Sequence, residues 1–354
     1  MSDDTEIVFS GTGGVGRILL NRPQALNALT LPMCARLLPQ LKAWRNDPAV
    51  KAALIAGAGG KAFCAGGDVI GLYKDHVAGG DLAERFWREE YRCNALIKHF
   101  GKPYVALLDG IVMGGGVGVS VHGSHCVATE KTMLAMPETA IGLFPDVGGS
   151  YFLSRLPDGV GMFLGLTGQR LGPSDVVALG IAQALVPQAR LAALEAALAE
   201  SGGTFDDVDR IIAAHAEAPG TSPLSEHRAA IKQHFNCNSV EEVFRSLETD
   251  AGPWAATQRD ALKKCSPTAL KLTFAQITRG RSLSFDDCMR QEWRMAKRIA
   301  RGHDFFEGVR ARLVDKDHAP RWQHLSLAAV SPTEIETYFA PLPGDELDLS
   351  DIAN

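Results

Sequence analysis

In the first half of the chain, segments with the apolar pattern of a strand alternate with segments that have the apolar pattern of a helix. Short apolar runs bounded by glycine or charged residues favour buried strands, while apolar residues spaced three and four apart favour amphipathic helices. Residues 5–22 combine two such runs around the turn GTGGVG and predict a β-hairpin. Thr30 is suited to cap the following helix, with Pro32 in its first turn. The other predicted elements are strands at 50–56, 62–65, 103–109, 126–128 and 132–135, and helices at 32–47 and 81–99.

Helical periodicity dominates after about residue 151. Apolar residues follow the helical period at 161–167, 173–178 and 191–200, and further helices extend to about residue 301. The repeated strand–strand–helix units before this point are typical of an α/β domain. The predicted division is an α/β core at 1–185, a helical C-terminal region at 186–340 and a tail at 341–354.

Composition limits the classes of protein to which this chain can belong. It has 354 residues, of which 46% are hydrophobic and 22% are charged, and its formal net charge is −5. These values allow a large buried core and give no general attraction to nucleic acid. No apolar run is long enough to span a bilayer, so we expect no membrane partner. Because the net charge is negative, we also expect no nucleic-acid partner.

Cysteine usage and the first residues predict a cytoplasmic protein. The chain has seven cysteines, and an odd number without a CxxC pair favours buried free thiols in a reducing compartment. The opening residues MSDDTEIVFS are acidic and lack the apolar segment of a secretory signal. Transit peptides are rich in arginine and poor in acids, so this opening is also a poor match for one.

The stretch from 110 to 149 carries the strongest chemical signal. A glycine cluster at 114–118, which opens a predicted helix of small residues, precedes two carboxylates in apolar surroundings, Glu138 and Asp146. Glycines let a backbone approach a ligand closely, and acids among apolar residues are candidates for shifted pKa values. Backbone N–H donors beside carboxylates are the groups needed to stabilise an oxyanion formed from a carbonyl.

Each of these features also has a purely structural interpretation. Glu138 can begin a helix, and Asp146 can cap a glycine turn. The Gly66-Gly67 pair taken alone is typical of a simple turn, and the cluster at 114–118 can serve tight helix packing. The coincidence of two glycine sites with two acids in apolar surroundings favours a catalytic site.

Other catalytic motifs do not occur in the sequence. The glycine cluster is neither a GxGxxG fingerprint with a following acid nor a P-loop, which disfavours phosphate binding by those routes. The histidines form no HExxH pattern, and Ser120 does not lie in a GxSxG elbow. We therefore expect no metal and no separate cofactor.

Several short motifs lie along the chain: LNRP at 20–23, ALNA at 25–28, AFCAGGD at 62–68, DG at 109–110, GGG at 114–116 and PE at 137–138. Together these motifs resemble the crotonase superfamily, also called the enoyl-CoA hydratase/isomerase family. Four longer segments, at 57–69, 128–149, 266–272 and 301–322, are more narrowly similar to its 3-hydroxyisobutyryl-CoA hydrolase branch, and the resemblance spans most of the chain. The implied fold is an α/β, crotonase-like spiral of ββα units followed by a helical C-terminal region.

The resemblance also implies roles for individual residues. The backbone N–H groups of Gly67 and Gly115 hold the thioester oxygen, and Glu138 is the matching catalytic glutamate. Hydratases of the family use a second glutamate, and its position is Gly118 here, which disfavours hydration. The hydrolase branch pairs the first glutamate with an aspartate that matches Asp146.

The substrate implied by the resemblance is a short-chain 3-hydroxyacyl-CoA, in which CoA is part of the substrate rather than a cofactor. A CoA groove is implied near 25–27 and 61–63, with Arg22 and Lys61 as nearby cations. The predicted substrate-binding residues are Arg22, Ala25, Leu26, Asn27, Lys61, Phe63, Ala65, Gly66, Asp68 and Gly114.

The activity implied is hydrolysis of 3-hydroxyisobutyryl-CoA, or a similar ester, to the free acid and CoA in valine catabolism. One alternative is another reaction of the superfamily, either hydration of an enoyl-CoA or isomerisation, which needs only one base. A second alternative is a non-catalytic protein that binds acyl-CoA. The family often forms homo-oligomers, so a homo-oligomer is a further expectation.

Overall fold

The computed structural model describes residues 5–352. Within that range, nine strands form a six-stranded sheet and a three-stranded sheet. The strands are β1 (Ile7–Thr12), β2 (Val15–Leu20), β3 (Ala52–Gly57), β4 (Ala62–Cys64), β5 (Tyr104–Leu108), β6 (Ile111–Met113), β7 (His125–Ala128), β8 (Met133–Ala135) and β9 (Ala184–Leu185).

From β3 onward, consecutive strands enter different sheets. The larger sheet has the order β1-β2-β3-β5-β7-β9 and the smaller one β4-β6-β8. Strands β1 and β2 form the predicted antiparallel hairpin, and the remaining ladders are parallel. The pairs β3/β4, β5/β6 and β7/β8 therefore each give one strand to each sheet. This confirms the predicted α/β spiral of ββα units.

Helices surround the two sheets and make up most of the chain after β8. Those in the first half are α1 (Leu31–Asn46), α2 (Val69–Val77), α3 (Leu82–Lys98), α4 (Gly115–Gly118), α5 (Gly149–Arg155), α6 (Val160–Thr167) and α7 (Pro173–Ala178). Those that follow β9 are α8 (Leu191–Ala199), α9 (Phe205–His215), α10 (Arg228–Phe235), α11 (Val240–Thr249), α12 (Pro253–Leu262), α13 (Pro267–Gly280), α14 (Phe285–Ile299), α15 (Asp304–Val309) and α16 (Pro332–Phe339).

Local sequence signals position several of these elements correctly. The Thr30 hydroxyl accepts a hydrogen bond from the Met33 N–H at 3.3 Å, as predicted for the cap of α1. The predicted helix of small residues is much shorter than expected, since α4 covers only Gly115–Gly118. Glycine loses more backbone freedom in a helix than any other residue, so a glycine-rich segment extends a helix poorly. The sequence analysis also did not predict α2 or β6.

The C-terminal helices pack directly on the α/β part of the chain. Helix α13 packs against α5, and α14 packs against α3. One hydrophobic core includes residues from Ile7 to Ile352. The division of the chain at 185 and 340 stays a prediction. The last strand of the larger sheet, β9, ends at Leu185, where the α/β core was predicted to end. None of the helices described in residues 5–352 is both long and apolar enough to cross a membrane.

Candidate active site

A cavity of about 430 Å³ contains the predicted catalytic groups. Its walls include the two glycine segments, at 65–67 and 114–115, together with the carboxylates of Glu138 and Asp146. The structure thus brings together the four predicted catalytic and oxyanion-binding residues. Their chemical roles remain predictions.

Parallel pairing places the two glycine segments side by side. Strands β4 and β6 are neighbours in the smaller sheet, and each ends immediately before one of these segments. A Cβ built on Gly66 would lie 3.9 Å from the Gly115 nitrogen. Within residues 5–352, neither the Gly67 N–H nor the Gly115 N–H donates a hydrogen bond to the protein. Two backbone donors are therefore available to one oxygen atom of a ligand.

The third parallel strand of the smaller sheet positions Glu138. This residue begins a short 3₁₀ helix, Glu138–Ile141, shortly after β8. Its Oε1 lies 3.0 Å from the position of a Cβ built on Gly114, and its Oε2 is buried without a hydrogen-bond partner. Burial raises the pKa of Glu138 well above its usual range, and the nearby charge of Asp146 raises it further. The carboxyl group is thus desolvated beside the two N–H donors.

Asp146 lines the same cavity from a loop whose backbone is strained. The side chain of Asp146 accepts a hydrogen bond from the Tyr91 hydroxyl at 2.9 Å. Burial raises the pKa of Asp146 to about 7, although the Tyr91 hydrogen bond lowers it. The next residue, Val147, has φ of 51°. Such an angle is costly for a β-branched residue and persists only where the surroundings hold it.

Helix α14 and its neighbour hold the loop that carries Asp146. Glu292, on α14, accepts hydrogen bonds from the Gly148 N–H at 2.7 Å and the Ser150 N–H at 2.8 Å. Gln276, on α13, donates to the Pro145 carbonyl at 2.6 Å. The helical C-terminal region therefore positions a candidate catalytic acid that belongs to the α/β part of the chain.

Glu90 is a cavity residue that the sequence analysis missed. It lies on α3 and is 1% exposed, and its Oε1 has no hydrogen-bond partner. Burial raises the pKa of Glu90 well above its usual range, and the charges of Asp146 and other neighbours add to this effect. Its position four residues after Phe86 places it on the apolar face of an amphipathic helix, but this pattern does not show that the side chain reaches a cavity.

The place of a second glutamate is filled by other side chains. A Cβ on Gly118 would lie 2.6 Å from the Cβ of Val147 and 2.8 Å from Nδ2 of Asn94. No side chain fits at Gly118 without displacement of these groups.

Only some of the predicted CoA-binding residues line the cavity. Ala65, Gly66 and Gly114 do so. The predicted residues outside its lining are Arg22, Ala25, Leu26, Asn27, Lys61, Phe63 and Asp68. Phe63 is fully buried in the hydrophobic core, so its side chain is not available to a ligand at the surface.

Several of these outlying residues have structural contacts instead. Arg22 forms ion pairs with Glu6 at 2.8 Å and with Asp68 at 3.1 Å. Asp68 also caps α2 by accepting a hydrogen bond from the Gly71 N–H. The Asn27 amide donates to two backbone carbonyls, at 2.9 and 2.8 Å. Lys61 is exposed, and the contact of either cation with CoA stays a prediction.

The described residues offer no group of side chains that could bind a metal ion. In the part of the chain from residue 5 to 352, no three His, Cys, Asp or Glu side chains come together as such a site requires. Cys64, beside the glycine segment, is buried, and burial raises the pKa of its thiol to about 12. A thiol with this pKa is a poor nucleophile at neutral pH.

Comparison with known proteins gives a consistent family match. A model of the family described as Enoyl-CoA hydratase/isomerase matches residues 15–339. A relative named "3-hydroxyisobutyryl-CoA hydrolase, mitochondrial", from Danio rerio, is 46% identical over 351 residues, or 98% of this chain and 91% of that protein. The Homo sapiens protein of the same name is 44% identical over 356 residues, or 97% of this chain and 90% of that one.

Solved structures share the fold along almost the whole chain. A carnitinyl-CoA dehydratase from Mycobacterium thermoresistibile aligns with a TM-score of 0.91 and 41% identity, covering 98% of this chain and 99% of that one. An enoyl-CoA hydratase from Rhodobacter sphaeroides 2.4.1 aligns with a TM-score of 0.90 and 38% identity, covering 97% and 99%.

Proposed function

This chain belongs to the enoyl-CoA hydratase/isomerase family, and we propose that it hydrolyses the thioester of 3-hydroxyisobutyryl-CoA to the free acid and CoA. The reaction would serve valine catabolism. The proposal is supported by relatives that are named for this activity and match almost the whole chain. The observation that carries it is the pairing of Glu138 and Asp146 beside two unpaired N–H donors, where Gly118 leaves no room for a second catalytic glutamate.

The two N–H donors lower the barrier to attack on the thioester. The carbonyl oxygen enters between the Gly67 and Gly115 nitrogens, which stabilise the negative charge that develops on it. A single donor of this kind is worth about 3 kcal/mol of transition-state stabilisation. Because these donors belong to the backbone, the fold has already fixed their positions before the substrate arrives.

Glu138 supplies the reacting carboxylate by one of two routes. In the first, it takes a proton from water while the water oxygen bonds to the carbonyl carbon. The C–S bond then breaks, and the proton passes to the leaving thiolate. In the second, a Glu138 oxygen bonds to the carbonyl carbon and displaces the thiolate, and water hydrolyses the resulting anhydride. Both routes require Glu138 to be ionised when attack occurs.

Asp146 influences the protonation of Glu138. The pKa of Asp146 is raised to about 7, mainly by burial, so this group exchanges a proton readily at neutral pH. The pKa of Glu138 is raised partly by the charge of Asp146, so proton uptake by Asp146 favours an ionised Glu138. Asp146 in this scheme orients water and relays the proton to the departing thiolate.

Glu90 provides a reason for a hydroxyl group on the acyl chain. Its buried Oε1 lacks a partner and faces the cavity beside Gly115, where a Cβ would approach it to 2.4 Å. A buried oxygen without a partner costs about 1–3 kcal/mol, and a substrate hydroxyl can supply the missing hydrogen bond. An acyl chain without that hydroxyl leaves the oxygen unsatisfied and is disfavoured.

The first alternative is hydration, as in the enoyl-CoA hydratase among the solved neighbours. The crowding at Gly118 argues against it, while isomerisation needs only Glu138 as a base. Thiol release from 3-hydroxyisobutyryl-CoA, measured beside acetyl-CoA and crotonyl-CoA, separates these activities. Loss of the conjugated thioester absorbance of crotonyl-CoA without thiol release would indicate hydration or isomerisation. Binding of all three esters without any reaction would indicate a silent acyl-CoA-binding protein.

Cellular location and assembly form part of the proposal. The composition favours the cytoplasm, whereas "mitochondrial" appears in the names of the relatives and describes those proteins. Cell fractionation against marker enzymes of both compartments decides between them. Sedimentation equilibrium decides whether the chain forms the homo-oligomer expected from the family.

A further inference from the structure

The turn that carries Asp146 contains two consecutive residues with a left-handed backbone. The Gly149 N–H donates to the Asp146 carbonyl at 2.8 Å, which closes a turn over residues 146–149. The two central residues, Val147 and Gly148, have φ angles of 51° and 88°. Turns of this kind favour glycine or asparagine at both central positions. Valine is disfavoured there, since its branched side chain clashes with the backbone in this conformation.

The side chain of Val147 is buried over Gly118. Val147 is 1% exposed, and a Cβ built on Gly118 would lie 2.6 Å from the Cβ of Val147 and 3.1 Å from its Cγ1. The same turn presents the carboxyl group of Asp146 to the cavity. Its conformation therefore aims one candidate acid and places an apolar side chain at the position that the resemblance assigns to the second glutamate of hydratases.

Glu292 holds this turn by hydrogen bonds to its backbone. The side chain of Glu292 is fully buried and lies outside the lining of the cavity. Each oxygen of its carboxyl group accepts one N–H, from Gly148 at 2.7 Å and from Ser150 at 2.8 Å. Burial raises the pKa of Glu292 to about 8, and the two hydrogen bonds oppose this shift because they favour the ionised form. Two buried backbone donors thus depend on one side chain.

His122 and Gln276 fix the carbonyl groups on either side of Asp146. Nε2 of His122 lies 2.6 Å from the Val147 carbonyl oxygen. Burial lowers the pKa of His122 to about 4, so its ring is neutral at pH 7 and its Nε2–H donates to this oxygen. Gln276 donates to the Pro145 carbonyl at 2.6 Å. Together with the carboxyl group on α14, these side chains hold the backbone before and after the candidate acid.

We propose that Glu292 is a positioning residue, which keeps the turn at 146–149 in its left-handed conformation and thereby aims the Asp146 carboxyl group into the cavity. The assignment rests on the proposed function, since it takes Asp146 as part of the reacting site. Glu292 acts only through the backbone that it holds, because it does not line the cavity. A residue that adopts a left-handed φ without a steric penalty would need this support less, so the role can be tested within the turn itself.

The first test is steady-state hydrolysis of 3-hydroxyisobutyryl-CoA by Glu292→Gln. Glutamine has nearly the same size, but its amide accepts through one oxygen only and presents a donor to the second N–H. We expect kcat to fall at least about tenfold while KM changes by less than about twofold. The matched control is Asp175→Asn, because Asp175 is a buried carboxylate outside the cavity that likewise accepts backbone N–H groups, from Gly172 at 3.1 Å and Leu224 at 3.0 Å. The control should keep both constants within about twofold of the wild type.

Rescue within the turn separates positioning from a general structural role. Val147→Gly adopts the left-handed angle without a steric penalty, whereas Val147→Ala also loses the branched side chain but keeps that penalty. In the Val147→Ala background, Glu292→Gln should still lower kcat at least about tenfold, and in the Val147→Gly background it should lower kcat by less than about threefold. Equal losses in the two backgrounds, or a wild-type kcat in Glu292→Gln alone, would overturn the proposal.

A milder variant is used if Glu292→Gln fails to fold. Glu292→Asp keeps the carboxyl group but shortens the side chain by one methylene, so its oxygens cannot reach both N–H groups at their present distances. We expect kcat to fall at least about threefold with KM unchanged, and this loss should disappear in the Val147→Gly background but persist in the Val147→Ala background. A loss of the same size in both backgrounds again overturns the proposal.

Hydrogen exchange distinguishes failure of this proposal from failure of the hydrolase proposal. The Gly149 N–H donates within the turn rather than to Glu292, so its exchange rate reports whether the turn is closed. We expect this amide to exchange at least about tenfold faster in Glu292→Gln than in the wild type, and to slow again in Glu292→Gln/Val147→Gly. A protein that shows these changes but releases no thiol from any ester keeps the support of the turn and loses the proposed activity. Equal exchange rates in the wild type and Glu292→Gln overturn the positioning role, whether or not the ester is hydrolysed.

Discussion

The hydroxyl oxygen of Tyr91 lies 2.9 Å from Oδ2 of Asp146, and both side chains are buried. Tyr91 sits on α3, next to Glu90, whereas Asp146 lies in a loop held by α13 and α14. The hydrogen bond fixes the orientation of a carboxyl group that faces the cavity, and it also favours the ionised form of that group. Tyr91 is therefore a positioning residue for the proposed reaction.

Replacement of Tyr91 by phenylalanine should raise the pKa of Asp146 further, because burial then acts without the opposing hydrogen bond. We expect the limb of the kcat/KM profile that reports the titration of Asp146 to move to higher pH. Tyr104→Phe is the matched control, since that buried hydroxyl donates to the Val119 carbonyl. If kcat/KM of Tyr91→Phe falls equally at every pH and the profile does not move along the pH axis, Tyr91 has only a structural role.

Replacement of Glu138 by glutamine preserves size but removes the carboxylate that is proposed to attack the carbonyl carbon or to activate water. We expect kcat to fall at least about a hundredfold, as for loss of a general base, with CoA binding unchanged. Glu130→Gln, an exposed glutamate that accepts a hydrogen bond from the Gln188 N–H, serves as control. Hydrolysis by Glu138→Gln within about tenfold of the wild type, or ~1.4 kcal/mol, would falsify the assigned role.

Asp146 should make the free energy of unfolding decrease as pH rises. Its folded-state pKa of about 7 exceeds its usual value, so between about pH 4 and pH 7 the native state holds a proton that the unfolded chain has released. The free energy of unfolding of the wild type should fall through this window. Asp146→Asn lacks this contribution. The melting temperature of the variant minus that of the wild type should therefore be higher at pH 8 than at pH 5.

Differential scanning calorimetry at both pH values checks this prediction. Any constant effect of the altered Tyr91 hydrogen bond cancels in the comparison between the two pH values. Asp206→Asn, an exposed change at the start of α9, is the control and should follow the wild type. The same temperature difference for Asp146→Asn at pH 5 and pH 8 would contradict the raised pKa.

Addition of a side chain at Gly118 should disturb the packing. The new Cβ would lie within 3.0 Å of Val147 and Asn94, so Gly118→Ala should lower the free energy of unfolding by about 1–3 kcal/mol. Gly118→Glu should still give no hydration of crotonyl-CoA, because the site has no room for the carboxylate. Gly11→Ala is the control, where the added Cβ meets only the Val15 carbonyl oxygen, at 3.5 Å. Urea unfolding measures the first effect, and loss of enoyl absorbance tests the second.

Glu90 should determine the preference for a hydroxylated acyl chain. Glu90→Met preserves approximate size but removes the hydrogen-bonding oxygens. We expect the ratio of kcat/KM for 3-hydroxyisobutyryl-CoA over isobutyryl-CoA to fall about tenfold or more. Glu89→Met, which alters the neighbouring residue that pairs with Arg92 at 3.6 Å, should leave the ratio unchanged. An unchanged ratio in Glu90→Met would assign recognition of the hydroxyl to another group.

Sequence patterns were sufficient where the determining interactions are local. The hairpin of β1 and β2, the cap at Thr30 and helix α3 depend on residues within a turn or two of one another. The glycine segments and their two acids were also recognisable, since short motifs carry them. Their approach to one cavity follows from parallel pairing of β4 with β6, which the motif spacing alone does not show.

Residues that act through distant packing could not be identified in this way. In the sequence, Glu90 looks like one more charged residue of α3. Its burial becomes evident only when the helix packs against α1 and α14. In the sequence, Glu292 likewise looks like an ordinary charged residue of α14. Only the fold shows that its carboxylate binds the loop after Asp146, more than a hundred residues earlier in the chain. The π-helix at Arg310–Val314 has no simple sequence signature, so the position of Arg312 at the cavity was not predictable.

The cavity wall contains residues from Ala65 to His318, and this separation has a consequence for synthesis. A ribosome releases the oxyanion donors and both candidate acids well before it releases Arg312 and His318. An interrupted translation product therefore carries both candidate acids without the part of the cavity wall that Arg312 and His318 form. The order of the chain makes the candidate site complete only late in synthesis.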